Sequence, residues 1–110
     1  MSSSINKNMI TVTKGDSFWA TISINDYEPD PNDEIRFALK STLNDSEPAI
    51  IIKPIPTVTM ELRLDSSDTK QLAVGKYYYD IQITLTNGFV DTFIEPQKGK
   101  PNFEVTPEVE

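Results

Sequence analysis

At 110 residues and 37% hydrophobic, the chain has the size of one domain, and its twelve Ile, six Leu, six Val and five Phe are too many for a disordered polymer. Seventeen acidic against ten basic residues leave a formal charge of −7, which repels phosphate backbones and anionic headgroups, so neither nucleic acid nor a membrane surface is an expected partner. Histidine and cysteine are both absent, which removes the commonest general base, the thiol nucleophile, the imidazole and thiolate metal ligands and every disulfide.

Residues 1–8, Met1-Ser2-Ser3-Ser4-Ile5-Asn6-Lys7-Asn8, are polar and lack the apolar stretch of a signal peptide. They read as a flexible segment of a protein made and used without secretion. From residue 9, period-two runs alternate with turn residues every 8–12 positions, the spacing of an all-β sandwich domain over 9–106. Met9-Ile10-Thr11-Val12-Thr13 is the first strand, closed by Lys14-Gly15-Asp16. In the second, Phe18, Ala20, Ile22 and Ile24 share the inner face, and Ser17, Trp19, Thr21 and Ser23 the outer. Asp26 to Asp33, with two prolines and four acids, is a loop. A third strand follows with Ile35, Phe37 and Leu39 inward. Ile50-Ile51-Ile52, bounded by Pro48 and Pro54, reads as an edge strand or one that changes sheets. Val58, Met60, Leu62 and Leu64 then share one face, and Asp65 or Ser66 caps a turn or one-turn helix ahead of Gly75.

The strongest local signal is the stretch 75–94, two period-two strands around Asn87-Gly88. A two-residue type I′ loop there pairs Leu85 with Val90, Ile83 with Thr92, Gln82 with Phe93 and Ile81 with Ile94. That register sends Tyr77, Tyr79, Ile81, Ile83, Leu85, Val90, Thr92 and Ile94 inward, and Tyr78, Asp80, Gln82, Thr84, Phe89, Asp91 and Phe93 outward. After a loop over 95–101, Asn102-Phe103-Glu104-Val105 is the last strand, making seven or eight, and 107–110 is an acidic tail.

With no His or Cys, catalysis would fall to carboxylates, and Asp80 and Asp91 are the only acids inside strong strands. Both read as surface groups on a face without a cleft, so no catalytic residue is assigned and an enzyme is not expected. Asp26, Glu28, Asp30 and Asp33, or Asp65 and Asp68, carry hard oxygen ligands, but neither loop matches a calcium-binding spacing. Turn formation and helix capping account for them, and neither metal nor cofactor is expected. The aromatics Trp19, Tyr78, Phe89 and Phe93, on otherwise polar outer faces, are the candidate protein-contact residues; for Phe89 and Phe93 the other reading is cover by the chain itself, from the 1–8 or 95–110 segments. On this register, Phe89→Ser or Phe93→Ser leaves folding nearly intact and weakens assembly.

Two patterns go beyond spacing. Leu64, Asp68 and Gly75-Lys76-Tyr77-Tyr78-Tyr79 resemble the E-to-F corner of immunoglobulin-like domains, with Tyr79 in the place of the usual Cys and Tyr77 as the corner tyrosine. The Cys pair and the C-strand Trp of that family are missing. The second pattern runs from Lys14-Gly15-Asp16-Ser17-Phe18 and residues 33–40 through Asp68-Thr69, Gly75, Tyr77, Tyr79-Asp80-Ile81 and Asn87-Gly88-Phe89-Val90-Asp91-Thr92 to Phe103 and Val105-Thr106. Across roughly 90 residues this resembles small structural proteins of tailed bacteriophages and prophages, whose β-sandwich is like the N-terminal domain of upper baseplate proteins.

The resemblance implies an antiparallel immunoglobulin-like sandwich acting as a non-enzymatic tail, baseplate or neck component. Its partners would be other phage structural proteins or further copies of the chain, and it would be assembled into the virion in the bacterial cytoplasm. The alternative is a carbohydrate-binding sandwich using exposed aromatics. It requires the strands at 17–24 and 75–94 to be neighbours, and a small-molecule ligand is otherwise not expected.

Overall fold

The computed structural model describes residues 4–6, 9–24, 28–44 and 46–108. Asp26 and Tyr27 of the acidic loop lie outside these, as do 1–3, 7–8 and 109–110 of the two terminal segments. The chain is an all-β sandwich. Eight strands fall within 9–106: β2 (Met9–Thr13), β3 (Phe18–Thr21), β4 (Glu34–Lys40), β5 (Ile51–Ile55), β6 (Glu61–Leu64), β7 (Gly75–Thr84), β8 (Val90–Ile94) and β9 (Phe103–Thr106). Ahead of them β1 (Ser4–Asn6), inside the segment expected to be flexible, pairs antiparallel with β2.

The large sheet runs β1-β2-β9-β7-β4-β5, and β8 lies beside the C-terminal half of β7 while β9 pairs with its first residues. Two strands, β3 and β6, make the second sheet. One pairing departs from the antiparallel expectation: β2 and β9 are parallel, from Ile10 opposite Phe103 to Thr13 opposite Thr106. Parallel neighbours need a long connection, and the whole body of the sandwich supplies it.

Alternation places the core. Phe18, Leu62 and Leu64 from the small sheet meet Ile10, Val12, Phe37, Leu39, Tyr79, Ile81, Phe103 and Val105 from the large one, all nearly or fully buried. Phe37, Tyr77, Tyr79 and Phe103 form an aromatic group, with centroids 5.4–6.3 Å apart in its four contacts. Burial pushes the Tyr79 phenol well above the usual tyrosine pKa, because desolvation disfavours its anion.

The short helix α1 (Ser66–Lys70) starts at Asp65, whose N–H donates to Asp68 Oδ2 at 2.8 Å. Asp68 Oδ2 also pairs with Lys53 of β5 at 2.9 Å. Thr69, fully buried, donates its hydroxyl to the Asp16 carbonyl and accepts from the Gly15 N–H at 2.8 and 3.0 Å. Lys14-Gly15-Asp16 and Asp68-Thr69, two strings of the family resemblance, therefore interlock at one end of the sandwich. Lys14 adds hydrogen bonds from Nζ to the carbonyls of Lys70, the last residue of α1, and of Leu72 just past it.

Three local readings change. Strand β5 continues through Pro54 to Ile55, because an edge strand tolerates a missing donor. Val58 is not inward: the Met60 N–H closes a turn onto the Pro56 carbonyl at 2.7 Å, Met60 takes φ 54°, and Val58 is left 88% exposed. The third change is in the hairpin. Its loop has three residues, Thr86-Asn87-Gly88, set by the Gly88 N–H donating to the Leu85 carbonyl and the Leu85 N–H to that of Phe89, both at 2.8 Å. Gly88 sits at φ +89°, the left-handed position such a loop requires.

The extra loop residue moves the pairing by one, so Thr84 faces Val90, Ile83 faces Asp91 and Gln82 faces Thr92. A bulge at Phe93 then restores Ile81 opposite Ile94. Val90, expected inward, is exposed, and Phe93, expected outward, packs partly buried against the core.

Candidate functional site

The four aromatics expected to make contacts occupy separate places. Trp19 stands 60% exposed on the outer face of the small sheet, opposite Arg63 and beside Asp65 in a shallow pocket of about 180 Å³. Tyr78 lies on the outer face of the large sheet opposite Lys40, over a hollow of about 150 Å³ shared with Leu43 and Pro96. The core lies between these two faces. Phe89 ends the hairpin loop, while Phe93 is withdrawn into packing by the bulge. A continuous patch does not form, and β3 pairs with β6 instead of β7, so the strands that would carry a sugar-stacking strip are in different sheets.

The strand carboxylates are also separated. Asp80 accepts a hydrogen bond from Arg36 Nη1 at 2.8 Å, an ion pair on the outer face of β4 and β7. Asp91 was expected to share that face with it. The one-residue shift puts Asp91 opposite Ile83, on the other face of the ladder, so the two carboxylates do not flank a common site.

The loop acids are engaged locally. Asp33, 6% exposed, accepts from the Asp30 N–H through Oδ2 and from the Thr86 N–H and hydroxyl through Oδ1, at 2.9–3.1 Å. Asn32 N–H caps Asp30 Oδ1 at 2.8 Å. This net fastens the loop ahead of β4 to the β7–β8 hairpin, a link of 53 residues in sequence. Among the described residues, no group of three or more His, Cys, Asp or Glu converges to hold a metal ion.

Tyr77 makes the contact expected of a corner tyrosine: its hydroxyl donates to the Ala73 carbonyl at 2.6 Å, four residues upstream. Besides Leu43, Ile50, Ile52 and Val74, which are exposed elsewhere on the surface, Val58 and Val90 stand out where sequence alternation does not show it. Val58 alternates in sequence with Leu62 and Leu64, as a residue of their face would, and Pro56 is the signal for a turn there. Val90 was assigned inward through the two-residue loop. Compared with models of protein families, with curated proteins and with solved structures, the chain finds no match in any of the three.

Proposed function

We infer that the protein is a non-enzymatic structural or adaptor domain of a tailed-phage particle, built on an immunoglobulin-like sandwich and working through protein contacts. The observation that carries this is the end of the β7–β8 hairpin, which bears two exposed apolar side chains, Phe89 and Val90. A solvent-facing Phe-Val pair on a hydrogen-bonded loop is a protein anchor in form, since no folding requirement puts it there. The Tyr77 hydroxyl on the Ala73 carbonyl supports the immunoglobulin-like part of the reading. The interlock of Gly15 and Asp16 with Thr69 gives the resembling strings a common structural purpose.

Purified particles from an induced host test the role. Immunogold labelling should decorate one fixed position on the tail or neck, and a particle proteome lacking the chain would overturn the assignment. A glycan array is expected to stay blank, because Trp19, Tyr78 and Phe89 do not share a plane or a strip.

A further inference from the structure

Three loops converge at one end of the sandwich: residues 28–33 ahead of β4, 56–60 between β5 and β6, and 85–89 of the hairpin. Register sets their convergence. Glu34 lies opposite Thr84, Ile35 opposite both Ile83 and Ile55, and β8 starts with Val90 opposite Thr84. The ends of β8, β7, β4 and β5 are therefore level, and at roughly 4.8 Å per strand they form a ridge about 14 Å long.

The loops of this end carry charge of one sign. Residues 28–34, 55–61 and 84–91 contain Glu28, Asp30, Asp33, Glu34, Glu61 and Asp91 and no Lys or Arg. Glu61 is held by Arg63 at 3.1 Å and Asp33 is buried among its donors. Glu28, Asp30, Glu34 and Asp91 are left exposed, and none meets a Lys or Arg among the described residues.

Apolar groups stand out of the same end. Phe89 is 62%, Val90 53% and Val58 88% exposed, and below Val58 opens a groove of about 480 Å³ walled by Pro31, Ile35, Pro54, Ile55 and Pro56. Arg36, at the groove wall, is committed to Asp80. The loops are tied in place by Asp33 to Thr86, Met60 to Pro56 and Gly88 to Leu85, so little ordering remains to be done on binding. A second copy docking end to end would set these four carboxylates against their own kind, which costs association.

We propose that this end is a docking surface for a basic, apolar-bearing segment of a partner protein, whose Lys or Arg side chains meet Glu28, Asp30, Glu34 and Asp91 while its apolar side chains enter the proline-walled groove and cover Phe89 and Val90. This rests on the protein-contact reading and assigns it a surface and a partner charge.

The test is amide chemical-shift mapping of the full chain titrated with a synthetic decapeptide of alternating Lys and Leu, with the Glu-Leu analogue as control. Saturable shifts confined to the three loops are expected, with affinity falling at least about tenfold between roughly 50 and 500 mM salt. The triple variant Asp30→Asn, Glu34→Gln, Asp91→Asn should weaken binding about tenfold, and Phe89→Ser about fivefold, with unchanged melting. Shifts centred elsewhere, absent saturation, equal binding of the Glu-Leu peptide, or concentration-dependent shifts of the same amides without peptide would each overturn the proposal. The triple variant also separates this from the broader role: normal incorporation of the variant into particles removes the surface and keeps the contact function, whereas absence of the wild-type chain from particles removes the function.

Discussion

Asn102 substitutes for a missing backbone donor. The β7–β9 ladder ends at Tyr77 opposite Phe103, and Pro101, ahead of β9, has no N–H with which to extend it. The carboxamide of Asn102 takes over: its Oδ1 accepts from the Tyr79 N–H at 2.8 Å and its Nδ2 donates to the Tyr79 carbonyl at 2.9 Å, both buried. Asn102→Ala removes two buried hydrogen bonds to backbone groups and should cost roughly 1–3 kcal/mol in a denaturant titration, more than a surface Asn. Nothing in the local pattern of residues 101–103 announces this, because the partner is 23 residues away. Tyr79 also predicts a pH response. Its folded pKa lies above the ordinary 10.0, so in the alkaline range the unfolded chain loses a proton that the folded chain keeps. Stability is then unaffected below pH 10 and falls as pH rises past it, by at most about 1.4 kcal/mol per pH unit for one group. In urea unfolding between pH 9 and 11, Tyr79→Phe should flatten this slope.

At the scale of elements, the hairpin shows how one loop residue redirects a strand. Its existence, strand limits and the need for Gly88 are legible in the alternation around Asn87-Gly88, but loop length is not, since Asn-Gly serves both two- and three-residue turns. Anchoring of Thr86 by Asp33 favours the longer loop in this fold, and the Phe93 bulge absorbs the shift. Gly88→Val should destabilise by about 1–3 kcal/mol through its positive φ alone, because a Cβ there meets nothing within 4 Å. Gly88→Asn, which tolerates that conformation, should cost less, as thermal melts of both would show. The phenylalanines now separate: Phe93→Ser removes packing and should cost about 2 kcal/mol or more, whereas Phe89→Ser should stay within about 0.5 kcal/mol. Equal losses would mean that the bulge does not turn Phe93 toward the core.

For the molecule as a whole, one core joins a two-stranded sheet to a seven-stranded one, and the small sheet has no other means of burying Phe18, Leu62 and Leu64. The two sheets should unfold together. Trp19 reports on the small sheet, while Tyr77 and Tyr79 report on the large one. Fluorescence of the tryptophan and near-ultraviolet dichroism of the tyrosines should give coincident transitions in denaturant. Phe37→Ala, at the centre of the core, should move both by the same amount, about 3–5 kcal/mol. Two separate midpoints would show that the β3–β6 sheet is only loosely attached.

Alternation, turn residues and composition were sufficient for the all-β class, the buried faces of β3, β4 and β7 and the cap of α1, because each depends on neighbours within a few residues. The parallel β2–β9 pair, the hairpin register, the exposure of Val58 and Val90, the Asn102 stitch and the gathering of unpaired acids at one end came only with the tertiary structure. Each of those depends on which distant backbone lies alongside, and a strand's side-chain period of two makes the outcome turn on a single residue of offset.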